Sequence, residues 1–404
     1  DVLGSRGLGD VYKRQVLAAI SRRYRERENH ISSDSWPIYI SLQKDGILFK
    51  MRRTQDLPDK ESATMFFQDC KLAHQAQITG ISHSVKEILP PDLLDLTQLQ
   101  KEANIRYGFT ASEVYDIAQS LYEKKLISYP RTSSRYLTED VFDSLPPIMA
   151  CLLSWELFPA AKGTGGIDIS NLSRHVISAE KANVHHAIII TGIRPGNLSE
   201  KEMQVYRLVA GRMLETFMAP CRIETTNVEA VCAAQHFKAE QTRIIEAGWH
   251  DVFMRYDMIP TSGYSVKELP EVEKGDTLNV CGCNMVHKKE LPVDPFTDAE
   301  LVEYMELNGL GTVSSRTNII RTLVNRKYIR YSGKYIVPTP KGMFTYETIR
   351  GKKIADTSLT ADWEKQLAGL ESGMITGQDF LNRIRTLAKE MTDDIFNTYS
   401  TKEE

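Results

Sequence analysis

Apolar residues recur along the chain with two different periods. In residues 17–29, LAAISRRYREREN, Leu17, Ile20 and Tyr24 share one helical face while Arg22, Arg23, Arg25 and Arg27 fall elsewhere, which predicts a basic helix. From Trp36 to Arg53 the alternation in WPIYISL and ILFKM, broken by Lys44-Asp45-Gly46, predicts a β-hairpin. A second strand-rich stretch runs from about Ile223 to Val280. Pro90-Pro91 and Pro195-Gly196 bracket a mainly helical region, so a module is inserted between two β-rich segments that are able to pair with each other.

Two windows of the chain resemble one another. Gln119 to Tyr129 reads QSLYEKKLISY and Arg321 to Tyr331 reads RTLVNRKYIRY, with Leu121/Leu323, Lys125/Lys327, Ile127/Ile329 and Tyr129/Tyr331 in register. Each follows a predicted helix. Thr110 and Glu113 have capping-box spacing ahead of Val114, Ile117, Ala118 and Leu121, and Ile319, Ile320, Leu323 and Val324 form the second stripe. Ser332-Gly333 is suited to turn a hairpin into Tyr335-Ile336-Val337. Helix, turn and wing in two copies suggest winged-helix units that face nucleic acid; generic helix-to-strand packing is the competing explanation.

Composition narrows the class. With 404 residues, 42% hydrophobic and 25% charged, the chain reads as a soluble globular protein of two to four domains, and no apolar run reaches membrane-spanning length. Six cysteines without a Cys-x-x-Cys pair argue against a disulfide framework and for a reducing, cytoplasmic compartment. Cys281, Cys283 and His287 lack zinc spacing, so no metal site is expected. The formal net charge is −3, yet Arg316 to Lys353 carries ten Lys or Arg against the single acid Glu347. That segment is +9, which leaves −12 elsewhere. Tyr328, Tyr331, Tyr335, Phe344 and Tyr346 are interleaved with these cations, as on a surface that neutralises phosphates and stacks bases; a solvated basic face has the same composition.

The sharpest chemistry lies in LISYPRTSSRYL, residues 126–137. A phenol titrating near 10 is a weak nucleophile unless cations favour its anion or a base takes its proton. Pro130 biases Tyr129 toward extended backbone on an edge or exposed turn. In extended chain Tyr129 and Arg131 project to one side, setting a guanidinium fork beside the hydroxyl. A Tyr-Pro turn with a surface arginine is the alternative on this tripeptide alone.

LISYPRTSSRYL resembles the active-site motif of the type IA DNA topoisomerases, and the likeness extends over nearly the whole chain from Val16. LAAISRRYRERENH is similar to the helix after that family's Gln-Thr-Pro stretch, and DLTQLQKEANIRYGFTASEVYDIAQSLYE to its lead-in to the tyrosine. HHAIIITGIRP is similar to its His-His-Ala-Ile-x-Pro-Thr element. GLGTVSSRTNIIRTLVNRKYIR and VPTPKG resemble its Gly-Ile-Gly-Thr-Pro-Ala-Thr-Arg helix and Pro-Thr-x-x-Gly turn, and LTADWEKQL its terminal helix. Tyr-Pro-Arg and the doubled histidine are closer to topoisomerase III than to bacterial topoisomerase I. Ile190 and Val313 stand where the family's motifs carry proline.

The resemblance implies an α+β multidomain toroid core with winged-helix-like modules and a β-rich arch. Its parts would be a helical base (16–30 and 289–404), the arch (31–88 and 205–288) and the tyrosine domain (89–204). Residues 1–15 are set apart, because Ser5 to Gln15, SRGLGDVYKRQ, resembles a translated sequencing adapter; a native N-terminal arm is the alternative. The resemblance further implies ATP-independent cleavage of one DNA strand through a 5′-phosphotyrosine, strand passage and religation. Tyr129 would be the nucleophile, Arg131 the phosphate clamp and His185 a phosphate-orienting or proton-relaying group. DNA contacts would come from Thr132, Arg135, His186, Thr312, Ser315, Arg316, Arg321, Arg326 and Lys327. Partners would be single-stranded or underwound DNA, a helicase and a single-strand-binding protein, in a nucleoid setting without a membrane. The alternative function is non-catalytic single-strand binding. Mg²⁺ would belong to the family's N-terminal Toprim domain, whose Asp-x-Asp cluster occurs nowhere in these 404 residues. By itself the chain is therefore expected to give no Mg²⁺-dependent relaxation of negatively supercoiled plasmid, and relaxation by the purified chain on an agarose gel would overturn that expectation.

Overall fold

The computed structural model describes residues 2–155, 157, 158, 167–182, 185–253, 262–360 and 376–400. The expected terminal helix in LTADWEKQL lies outside them from residue 361 onward. The chain opens with helix α1 (Val2–Glu28), then β1 (Asp34–Ser35), β2 (Ile38–Lys44), β3 (Ile47–Arg53), α2 (Lys60–Leu72) and β4 (Gln75–Ile88). A helical run follows: α3 (Leu96–Tyr107), α4 (Ala111–Glu123), α5 (Glu139–Asp143), α6 (Leu145–Ser154), α7 (Ala179–Ala182) and α8 (Glu200–Phe217). Strands resume with β5 (Cys221–Cys232), β6 (Gln235–Glu246), β7 (Thr277–Met285) and β8 (Lys288–Lys289). The chain returns through α9 (Asp298–Leu307), α10 (Val313–Asn325), β9 (Ile329–Ser332), β10 (Tyr335–Pro338), α11 (Pro340–Ile349) and α12 (Gly377–Ser400).

The β-rich segments close into a barrel of order β2-β3-β6-β5-β4-β7. The predicted hairpin is β2–β3, turned by Asp45 and Gly46, both at positive φ as a two-residue hairpin requires. Alternation buries Ile38, Ile40 and Leu42, Phe49 and Met51, Ile78, Val228 and Ala230, and Phe237 and Ala239 in one interior, and α2 adds Cys70 to it. The β4–β5 pairing joins strands from the two sides of the inserted module, running from Gln77↔Val231 to Ile88↔Cys221.

The module has its own core, in which Leu94, Leu99, Val114, Ala118, Leu121, Ile127 and Leu145 pack with Val205, Tyr206, Val209, Met213 and Phe217. The last five belong to α8, so the expected boundary at 204/205 is displaced to the loop before Cys221. The reason is packing: Ser199 and Glu202 form a capping box that starts α8 at Glu200, and its apolar face is buried as one unit against α3 and α4. The helix α1 runs through the adapter-like segment, Val11 and Tyr12 are buried, and the Gln15 amide donates to the Asp356 carbonyl at 2.6 Å.

The repeated windows share a backbone feature. After α4, Leu126 N–H donates to Leu121 O (3.0 Å) and Lys125 N–H to Tyr122 O (2.8 Å); after α10, Tyr328 N–H donates to Leu323 O (2.9 Å) and Lys327 N–H to Val324 O (2.9 Å). Lys125 and Lys327 both sit at φ 61°, so each helix ends in the same left-handed cap. Beyond it the copies part. The second continues into the β9–β10 wing, whereas the first forms only an isolated bridge between Ile127 and Ile190, because Pro130 withholds a ladder donor.

Module and base meet through polar contacts. Gln100 donates to Thr317 Oγ1 (2.9 Å), Lys101 pairs with Glu303 (2.5 Å), and Thr97 Oγ1 takes a hydrogen bond from Arg316 (3.0 Å). Ala111 N–H, at the start of α4, donates to Asp298 Oδ1 (3.1 Å), which also accepts from the Tyr331 hydroxyl (3.1 Å). Burial pushes the Asp298 carboxyl up to about 6, and burial together with Asp298 raises the Tyr331 phenol above its ordinary range. The fold thus favours protonated Asp298: that stabilisation is complete below the unfolded value near 3.8 and is lost as pH rises through about 6. Across this window the loss is on the order of 3 kcal/mol. Asp298→Asn keeps the shared acceptor without the charge, so its urea midpoint should fall less than that of the parent between pH 4 and 6. Parallel pH profiles would refute this role for the carboxyl.

Candidate active site

Residues 126–137 are shaped by the segment that runs beside them. Ser128 N–H donates to Ile189 O (2.8 Å); the Ser128 hydroxyl donates to Ala187 O (3.1 Å) and accepts from Ile189 N–H (3.0 Å). Thr191 adds its N–H to Leu126 O (3.1 Å) and its hydroxyl to Lys125 O (2.7 Å). His185 is thereby brought beside Tyr129, with ring centroids 4.4 Å apart. Tyr129 is half-buried and meets Tyr122 edge-on at 5.5 Å. Its hydroxyl has no hydrogen-bond partner among the described residues, whereas the hydroxyl of Tyr331, its counterpart in the repeat, is buried on Asp298.

Arg131 lies one turn further back along α4. Its guanidinium donates to Gln119 Oε1 (3.2 Å) and sits 5.1 Å over the Tyr115 ring, while its buried Nε has no partner. Tyr115, Gln119 and Tyr122 recur at i, i+4 and i+7, so one stripe of α4 carries both Arg131 and Tyr129. Those three residues were not singled out from the sequence. The available signal was a polar and aromatic stripe flanking the apolar Val114, Ala118 and Leu121.

The expected DNA contacts divide by what they touch. Thr132 is buried, its hydroxyl donating to His185 O (3.1 Å) and accepting from Ser134 N–H (3.0 Å), so it shapes the loop from within. His186 turns its Nδ1 to the Ala187 carbonyl at 2.7 Å. Arg135 is held by buried Asp95 (2.7 Å) and approaches Glu306 at 4.0 Å. Arg316 is 8% exposed and spent on Gly311 O, Thr97 and Glu306. Arg321 pairs with Asp116 (2.7 Å) and Ser112 across the module boundary. These engagements leave Arg316 and Arg321 poorly placed to bind phosphate in this arrangement. Thr312 is exposed and Ser315 half-buried in a reciprocal cap at the start of α10. Arg326 and Lys327 are exposed, with no side-chain partner among the described residues. Beside them Lys341 lies 4.3 Å over the Tyr328 ring and donates to Arg326 O at 3.0 Å.

The two proline departures are accommodated. Ile190 is buried and its N–H donates to Met213 Sδ (3.2 Å), a bond proline could not make. Val313 is the first residue of α10, where proline would be tolerated but is not required. Among the described residues no three His, Cys, Asp or Glu side chains converge as a metal-ligand group. His287 is bound to Asp34 at 2.8 Å and stacked on Trp36. Among the described residues the donors do not fit a Mg²⁺ site.

Residues 13–382 match a family model described as DNA topoisomerase. The DNA topoisomerase 3 of Bacillus licheniformis is 31% identical over 344 residues, covering 79% of this chain and 47% of that protein. That of Bacillus subtilis is 30% identical over 355 residues (81% and 48%), and that of Staphylococcus saprophyticus 28% over 397 residues (91% and 54%). The chain thus spans about half the length of these relatives. Among solved structures, full-length topoisomerase I from Thermotoga maritima superposes with a TM-score of 0.72 at 21% identity, over 94% of this chain and 62% of that one.

The unequal engagement of the cations yields a measurable contrast. Binding to a single-stranded oligonucleotide should weaken with salt at a log-log slope of roughly −0.7 per phosphate contact. Arg326→Ala and Lys327→Gly should flatten that slope, and Arg321→Ala should leave it within error of the parent. Because Lys327 occupies a left-handed cap, Lys327→Gly should at the same time raise unfolding stability by about 0.5–1 kcal/mol. A slope moved only by Arg321→Ala would reverse the assignment.

Proposed function

The chain belongs to the type IA DNA topoisomerase family, and from that membership we propose that it carries the strand-cleaving tyrosine of a topoisomerase III-like enzyme, with Tyr129 as nucleophile. The observation that carries this reading is the packing of the His185 ring on Tyr129 across two segments of chain, with the tyrosine hydroxyl unengaged among the described residues and Arg131 held one turn back on the same α4 stripe. The Tyr129 oxygen attacks the phosphorus of a phosphodiester, the bond to the 3′ oxygen breaks, and a 5′-phosphotyrosine and a free 3′-hydroxyl result. The ester conserves the energy of the broken bond, so the 3′-hydroxyl reseals the strand by attacking the same phosphorus without ATP.

Arg131 supplies a guanidinium fork to the non-bridging oxygens, where charge develops in the transition state. Its contacts with Gln119 and Tyr115 fix that fork beforehand. His185, exposed and against the Tyr129 ring, orients the phosphate or carries a proton between the tyrosine and the departing oxygen. Thr132 and Arg135 hold the loop and the module boundary, while Arg326, Lys327 and Lys341 bind the backbone of the strand. Mg²⁺ chemistry is common to the family, and the described residues offer no ligand set for it.

The chemistry is tested with a labelled single-stranded oligonucleotide, the chain, Mg²⁺ and the acidic Toprim portion of a relative supplied in trans, resolved on a denaturing gel. Tyr129→Phe should abolish the covalent 5′-adduct with strand affinity within about twofold, since only the attacking oxygen is removed. Arg131→Ala should slow adduct formation on the order of 10²- to 10³-fold. Tyr331→Phe should leave the adduct intact. An adduct that survives Tyr129→Phe would reject this tyrosine, and salt-sensitive binding without an adduct from any variant would favour a purely strand-binding protein.

A further inference from the structure

Three of the six cysteines, distant in sequence, meet at one place in the barrel. Cys70, in the last turn of α2, is fully buried; Cys232, the last residue of β5, is 1% exposed; Cys283, on β7, is half-buried. Cys70 and Cys232 are buried in the same core cluster, Cys283 packs against that cluster, and Cys283 Sγ lies 4.0 Å from the carbonyl of Phe67, one turn before Cys70 on α2. All three are free thiols. The cluster is apart from the tyrosine site, and strand cleavage makes no use of it.

We propose that Cys70, Cys232 and Cys283 form a peroxide-responsive thiol cluster in which Cys283 is oxidised first and Cys70 resolves it as a disulfide joining α2 to β7. Cys283 is the entry point because it alone of the three is partly open to solvent. Hydrogen bonding from Cys70 lowers its thiol, and the charge of Lys71 acts in the same direction. In the first step the Cys283 thiolate attacks a peroxide oxygen, the O–O bond breaks, and a sulfenic acid and water form, with the proton drawn from solvent. In the second, the Cys70 sulfur attacks the sulfenic sulfur, the S–O bond breaks, water leaves with the Cys70 proton, and the S–S bond forms. Two thiols and one peroxide thus become one disulfide and two waters. Cys232, buried in the same core cluster as Cys70, exchanges into that disulfide and returns Cys283 as a thiolate. Burial and donation to Cys70 keep Cys232 itself protonated until then.

The chain as it stands is sufficient for the test. After a few equivalents of hydrogen peroxide, alkylation of free thiols and digestion without reductant, mass spectrometry should find the Cys70 peptide linked to that of Cys283 or Cys232, and dithiothreitol should release it. Exposed Cys151 and Cys281 serve as internal controls, and Cys281→Ser should leave the cross-link unchanged. In Cys70→Ala a sulfenic acid should persist on Cys283 and be captured by dimedone. If that variant fails to fold, Cys283→Ser, at the half-exposed position, should slow cross-linking at least tenfold. Oxidation confined to Cys151 and Cys281, or a Cys70 cross-link that forms at the parental rate in Cys283→Ser, would overturn the proposal.

Discussion

One hydroxyl does the most to set the geometry of the site. Ser128 both donates to Ala187 O and accepts from Ile189 N–H, and in doing so fastens the residue before Tyr129 to the stretch that begins at His185. Fifty-six positions separate the tyrosine from the histidine in sequence, and this seam removes the separation. Pro130 prevents the seam from growing into a sheet. The tyrosine is therefore held at the end of a short pairing, with its ring between Tyr122 and His185 and its oxygen uncommitted. A hydrogen-bonded strand at the same place would have rigidified the loop but covered the phenol.

The two copies of the helix-and-cap unit show how one backbone plan supports different uses. Both place a lysine at φ 61° and both close with the same pair of hydrogen bonds. In the copy within the base, the chain continues into a β-wing and its tyrosine is locked onto buried Asp298. In the module the wing is absent and the tyrosine is left accessible. A buried phenol whose anion is disfavoured is a structural group, and the same residue without that partner keeps its oxygen open to a ligand.

Local features were legible in the sequence because they obey local rules. The β2–β3 turn, the capping boxes, the helical stripes of α4 and α10 and the register of the repeat all follow from residues within a few positions of one another. Pairing of the two β-rich segments across the inserted module was legible, but the closing of the barrel was not, since the strand order departs from chain order. Nor was the α8 boundary, where a proline-glycine loop suggested an end but the apolar face of the next helix belonged to the module. The basic segment read as a run of equivalent cations. Folding makes them unequal, because Arg316 meets nearby Glu306 and distant Thr97 and Arg321 meets distant Asp116, while Arg326 and Lys327 meet no carboxylate among the described residues.

The boundary between module and base has a mechanical meaning. Its contacts are mostly hydrogen bonds and ion pairs, Gln100–Thr317, Lys101–Glu303, Arg316–Thr97 and Arg321–Asp116, and the apolar crossings are small: Ala111 packs into the base core and Val313 against the module core. Water replaces polar partners of this kind at little net cost, whereas separating two greasy faces exposes area that drives irreversible association. A joint of this kind would part without leaving an adhesive surface, and its paired charges would guide it back into register.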